Sequence, residues 1–119
     1  MNKTITVHGI PNCDTVKKAR AWLDEHGVAY RFHDFKKDGL APDKLDRWIA
    51  AAGWEPLVNR KGTTWRKLDS AAQEAVVDAP SASALMQRNV SVIKRPVVEW
   101  GDTLTVGFDP ARWEGLAGT

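Results

Sequence analysis

Polar and hydrophobic positions alternate over Thr4-Ile5-Thr6-Val7-His8. That period of two predicts a strand with one buried face. Gly9-Ile10-Pro11-Asn12 interrupts it with turn residues. The apolar period then lengthens. Val16, Ala19, Leu23 and Trp22 recur at helical spacing, with Asn12 as the expected N-cap and Gly27 as the stop. Alternation returns from Val28 to Phe35, with Tyr30 and Phe32 on one face and Arg31 and His33 on the other. Lys36-Lys37-Asp38-Gly39 closes that segment as a turn. Two strands joined by a helix predict a parallel pair with a right-handed crossover, a βαβ unit.

The middle of the chain reads as helical. Pro42 suits a first helical position. Leu45, Trp48, Ile49 and Ala52 form a stripe that Gly53 ends, and residues 54–68 show no period. Ser70-Ala71-Ala72-Gln73 reads as a capping box for a short helix carrying Val76 and Val77, ended by Pro80. Ser81 is the expected cap of another, carrying Leu85 and Met86 and stopping near Asn89. Val97 to Trp100 and Thr103 to Val106 flank Gly101-Asp102, a hairpin signal. Asp109-Pro110 opens a last helix carrying Trp113. The layout is βαβ, helices, ββα, an α/β pattern. One domain is expected over 1–119, with a helical insertion over about 41–90.

Composition narrows the classes. The 119 residues are 43% hydrophobic and 27% charged, which fits an ordinary globular domain rather than a disordered chain. Seventeen Lys+Arg against fifteen Asp+Glu gives +2. No basic stripe stands out, so direct nucleic-acid binding is not expected. The apolar runs are too short for a transmembrane helix, and no membrane partner is expected. The N-terminus shows no signal-peptide pattern. A single cysteine excludes an internal disulfide and a zinc site of the Cys-x-x-Cys kind. A cytoplasmic location and no bound metal are therefore expected.

Cys13 carries the strongest chemical signal. It falls where a strand's exit loop meets a helix N-terminus, whose free N–H groups and partial positive charge favour a thiolate. The Thr15 hydroxyl is an expected hydrogen-bond donor, and Lys17 and Lys18 add positive charge one turn on. The plainer alternative is a small residue filling space. Arg95-Pro96 precedes the hairpin, so Pro96 is either cis or a trans proline at a strand start. Residues 59–67 hold four basic residues and no acid. Arg60 there either faces an anion, for which a guanidinium is suited, or belongs to a solvated loop, as Lys61 and Lys67 do. His8 is a polar residue at a strand end or a neighbour that tunes the thiol. No two histidines show metal spacing. Trp22, Trp48, Trp100 and Trp113 read as core or core edge.

Gly9-Ile10-Pro11-Asn12-Cys13 after a strand, Asn59-Arg60-Lys61-Gly62, and Ile93-Lys94-Arg95-Pro96-Val97-Val98 together resemble the arsenate reductase (ArsC) and Spx/MgsR family. Residues 13–20 and 32–39 resemble its YffB-like branch in particular. The likeness runs from about Thr4 to Trp113. It implies a thioredoxin-like fold with a mixed four-stranded sheet, a cis bond at Pro96, and Cys13 as nucleophile. Arg60 and Arg95 match two of three oxyanion-holding arginines. The third position is Gly107. The histidine that arsenate reductases carry near the nucleophile aligns with Gly9, one place from His8. Spx-type regulators use a Cys-x-x-Cys switch, but the position three after Cys13 is Val16.

The expected function is a glutathione-dependent monothiol reductase, with no bound cofactor and glutathione as co-substrate. An outside thiol is needed because no second cysteine can resolve a mixed disulfide. Cys13 is the expected catalytic residue. Arg60, Arg95, Pro96, Asn12, Thr15 and Lys17 are the expected glutathione or substrate contacts. Its substrate is expected to be a small oxyanion or an oxidised thiol. The alternative is an Spx-like binding module contacting RNA polymerase, and the third reading is arsenate reduction itself.

Overall fold

The computed structural model describes residues 4–117. The chain divides into two compact units, one made of residues up to Asp38 and from Arg95 onward, the other of Gly39–Lys94.

The first unit holds β1 (Ile5–Gly9), α1 (Asp14–Glu25), β2 (Arg31–Asp34), α2 (Phe35–Asp38), β3 (Val97–Trp100), β4 (Thr103–Val106) and α3 (Pro110–Leu116). The strands form one sheet in the order β2-β1-β3-β4. β1 and β2 are parallel, as a helical crossover dictates, and the other two pairs are antiparallel. Register places Val7 between Phe32 and Val98. Ile5, Val7, Val98 and Trp100 therefore share one face and bury against Ala19 and Leu23 of α1 and Trp113 of α3. Trp113 is fully buried and meets Trp22, Trp100 and Phe108 in edge-to-face geometry, with centroids 5.6, 5.1 and 4.9 Å away. Trp100 donates its indole N–H to Thr105 Oγ1 at 2.9 Å, which satisfies a buried donor.

Two boundaries differ from expectation. The N-cap of α1 is Cys13, not Asn12: the Cys13 carbonyl accepts the Lys17 N–H at 2.9 Å, the first helical bond. Asn12 lies in the preceding turn, which the Cys13 N–H closes onto the Ile10 carbonyl at 3.1 Å. The second strand is shorter than Val28 to Phe35. Asp34 Oδ1 accepts the N–H groups of Lys36 and Lys37, both at 3.1 Å, so Phe35 begins a helical turn instead of extending the strand.

The second unit is helical: α4 (Pro42–Ala52), α5 (Trp54–Leu57), α6 (Thr63–Arg66), α7 (Ser70–Glu74), α8 (Ala79–Arg88) and a 3₁₀ turn (Val90–Val92). Leu45 and Trp48 bury the α4 stripe, and Gly53 ends that helix at φ 84°. The stretch expected to be irregular contains the two single-turn helices α5 and α6. Capping also differs. Asp69, not Ser70, caps α7 through the Ala72 N–H at 2.7 Å, and Val76 and Val77 lie beyond that helix. Pro80 does not end a helix but sits in the first turn of α8, where its missing N–H costs nothing. Asp78 is the cap: its carboxylate accepts the Ser81 N–H at 3.0 Å, and Ser81 Oγ accepts the Asp78 N–H at 3.1 Å. The Ser81 hydroxyl and then its N–H hold the Asp78 carboxyl below the usual carboxylate value. Residues 57–59 run antiparallel to 92–94, with Val58 opposite Ile93. The Asn59 N–H donates to the Val92 carbonyl and the Lys94 N–H to the Leu57 carbonyl, both at 2.8 Å.

Candidate functional site

The loop leaving β1 is short, and its turn presents Cys13 at the mouth of α1, half-buried and with a free thiol. Opposing effects act on that thiol. Partial burial pushes it up. The Val16 N–H, the hydrogen bond and charge of the Arg95 side chain, and the Thr15 N–H pull it down and prevail, so Cys13 lies below the ordinary thiol value. The sulfur closes no N-cap hydrogen bond, yet the same N–H groups still favour its negative charge.

Arg95 therefore lies beside Cys13 although 82 positions separate them (95 − 13). Antiparallel pairing of β1 with β3 brings the start of β3 next to the end of β1: His8 is opposite Val97. Arg95 is half-buried, Pro96 is buried, and the bond between them is cis. Pro96 has no N–H to donate to a ligand, and its carbonyl accepts the Gly107 N–H at 2.8 Å.

Gly107 itself has φ 91°, a conformation that side-chain-bearing residues rarely adopt. An arginine at this residue is thus disfavoured by the backbone. Gly9 is equally constrained: a Cβ there would sit 2.9 Å from Val16 Cγ2, so a histidine at that position does not fit this packing. Val16 is fully buried, which explains what occupies the place of a second switch cysteine.

The remaining residues separate clearly. Thr15 contributes its backbone N–H rather than its hydroxyl, and Asn12, Thr15 and Lys17 are exposed. Neither Lys17 nor Lys18 is among the groups that lower the thiol. His8 is not among them either. The His8 ring is buried and engages Glu99 through Nε2···Oε1 at 2.6 Å, with the His33 ring 5.3 Å away. Glu99 was not singled out by sequence; only the β1–β3 register puts it diagonal to His8 on one face.

Arg60 lies in the second unit, exposed, with its guanidinium 5.7 Å from the ring centroids of both Trp54 and Trp65. Among the described residues, no group of three or more His, Cys, Asp and Glu could hold a metal ion, and no helix is long and apolar enough to cross a membrane.

The ArsC family model matches residues 8–116. The chain belongs to the ArsC family. Its sheet and flanking helices are the thioredoxin-like fold that the sequence resemblance implied. A solved YffB protein is 49% identical, with a TM-score of 0.91, over 97% of this chain and 100% of that one. An arsenate reductase (ArsC) related protein from Brucella melitensis is also 49% identical, with a TM-score of 0.76, over 98% and 96% of the two chains. The global transcriptional regulator Spx of Streptococcus mutans is 27% identical over 107 residues, 88% of this chain and 77% of the regulator. This ArsC-family protein is thus similar both to an arsenate reductase-related protein and to an Spx regulator.

Proposed function

We propose that this ArsC-family protein is a glutathione-dependent monothiol reductase with Cys13 as its nucleophile. The observation that carries the reading is a half-buried thiol, the chain's one cysteine, held below its ordinary value by a helix N-terminus and Arg95. Such a thiol ionises more readily than a free cysteine, and its thiolate attacks oxidised sulfur.

The cycle balances without a second protein thiol. The Cys13 thiolate attacks the glutathione sulfur of a glutathionylated substrate. A Cys13–glutathione disulfide forms, and the substrate thiolate leaves with the electron pair of the broken bond. A second glutathione thiolate attacks the adduct's glutathione sulfur, releasing oxidised glutathione and restoring the Cys13 thiolate. One glutathione thiol is consumed per turnover: its sulfur ends in oxidised glutathione as the substrate sulfur returns to thiol. Arg95 stabilises the sulfur anion before attack and again as it leaves. Arg95 is the guanidinium assigned to a glutathione carboxylate, and Pro96 supplies an apolar wall. The reducing, glutathione-rich cytoplasm is the compartment this chemistry calls for.

Oxidised glutathione should convert the protein to a species carrying one glutathione at Cys13, read by intact-mass spectrometry and peptide mapping. Cys13→Ser should take none. Arg95→Ala should react more slowly, and Lys61→Ala at the wild-type rate. A wild-type protein that takes up no glutathione contradicts the reading.

A second reading is a binding module that contacts RNA polymerase, favoured by the likeness to Spx. Polymerase retention on the immobilised protein, together with no thiol reductase turnover, would select it. Arsenate reduction is disfavoured by Gly107, whose backbone conformation does not suit a third arginine.

A further inference from the structure

A shallow cleft opens between α1 and the edge of the sheet. Arg20 and Asp24 of α1, Val28 and Ala29 of the connecting segment, and Tyr30 and Phe32 line it. Phe32 is in register with Val7, and both Tyr30 and Phe32 pack on the α1 side of the sheet. Arg20 lies half-buried over them. Its guanidinium carbon is 4.2 Å from the Phe32 ring centroid and 5.9 Å from that of Tyr30, and its Nε donates to the Tyr30 hydroxyl at 3.1 Å. Two rings and one hydrogen bond thus hold the guanidinium in place, which lowers the rotamer entropy that capture of an anion costs. Nε uses one of five N–H donors. No carboxylate pairs with Arg20 among the described residues, so its remaining fork suits an outside carboxylate.

β2 pairs with β1 on one side and, among the described residues, with no strand on the other. Alternate residues of such an edge turn N–H and C=O groups outward, where an extended chain can pair with them. An open cleft beside a sheet edge suits an extended chain more than an enclosed small ligand, and Arg20 sets the charge of that chain. Asp24, one turn beyond Arg20, favours a single carboxylate over a polyanion, which its own charge would repel. We propose that β2 and the Arg20 cleft dock an extended acidic peptide segment of a partner protein, which adds to the sheet edge and sets one carboxylate on the Arg20 guanidinium. This site is separate from the thiol: Arg20 lies seven residues beyond Cys13 (20 − 13), roughly 10 Å along α1 at 1.5 Å per residue.

The test titrates the isotope-labelled full chain with the blocked peptide acetyl-Thr-Val-Glu-Val-Thr-amide and follows its amide NMR shifts. The peptide should shift the amides of residues 30–34. Its glutamine counterpart should bind about 3- to 10-fold more weakly. Arg20→Gln should bring the acidic peptide down to the affinity of the glutamine peptide, Arg20→Lys should recover part of the loss, and Asp24→Asn should tighten binding. The pH midpoint of Cys13 alkylation should stay unchanged in all three variants, which reports that α1 is intact. Where a substitution disturbs α1, the comparison of the two peptides on the wild-type chain still decides. Equal binding of the two peptides overturns the carboxylate site, and so does wild-type affinity in an intact Arg20→Gln variant. No shift over residues 30–34 at millimolar peptide overturns the docking edge. Inorganic phosphate that displaces the peptide and binds as tightly would make the cleft a general anion site and overturn the proposal as well.

Discussion

A thiol at the mouth of a helix is balanced by small effects of opposite sign, and at Cys13 burial is the largest single one. The balance falls on the thiolate side because two backbone N–H groups and one guanidinium act together. Arg95 is the removable part. Arg95→Ala should move the midpoint of Cys13 alkylation to higher pH, whereas Lys17→Ala should leave it in place, as a pH series of alkylation rates would show. The same balance has a sign in stability. A folded-state value below that of the unfolded thiol means the folded chain releases its proton first as pH rises. Between the depressed value and the roughly 8.5 of a free cysteine, stability should therefore rise with pH relative to Cys13→Ser. Below that window the contribution is absent. Paired denaturant titrations across pH would read this. Cys13 was legible from sequence because its loop–helix boundary is marked by Pro11 and Asn12. The Arg95 contact was legible only through the family resemblance, since no local spacing connects positions 13 and 95.

Elements with a sustained period were readable, and single-turn elements were not. β3, β4 and α3 lie where alternation, Gly101-Asp102 and Asp109-Pro110 place them. Residues 54–68 gave no stripe because one turn of helix is too short to repeat an apolar position. At α8 the outcome turned on competing caps. Asp78 and Ser81 exchange hydrogen bonds, so Pro80 falls inside the first turn rather than after a last one. After β4, the chain leaves through Gly107, whose N–H closes onto Pro96 and whose φ is 91°. Gly107→Arg should therefore destabilise the protein by about 1–3 kcal/mol, the usual cost of a side chain in a disfavoured backbone region. It should also fail to confer arsenate turnover. Denaturation midpoints and an arsenate reduction assay check the two halves; a stable, arsenate-reducing variant would show that the backbone does not set this limit.

At the scale of the whole molecule, the chain's connectivity was partly visible. A helical block was expected over about 41–90, and a helical unit occupies Gly39–Lys94 between the two segments of the sheet-bearing unit. With no second thiol, an oxidised Cys13 must be resolved by an outside thiol, the role proposed for glutathione. ArsC-family membership sets the scaffold, but Val16, Gly9 and Gly107 remove respectively a second cysteine, a nearby histidine and a third arginine from the places the resemblance assigns them. What remains is a single cysteine whose thiol lies below its ordinary value. The rate of Cys13 alkylation by iodoacetamide as a function of pH measures that property directly. A single ionisation is expected, its midpoint below the roughly 8.5 of a free cysteine and its thiolate plateau reached correspondingly early. A midpoint at or above that value, or a thiol that iodoacetamide does not reach, would contradict it.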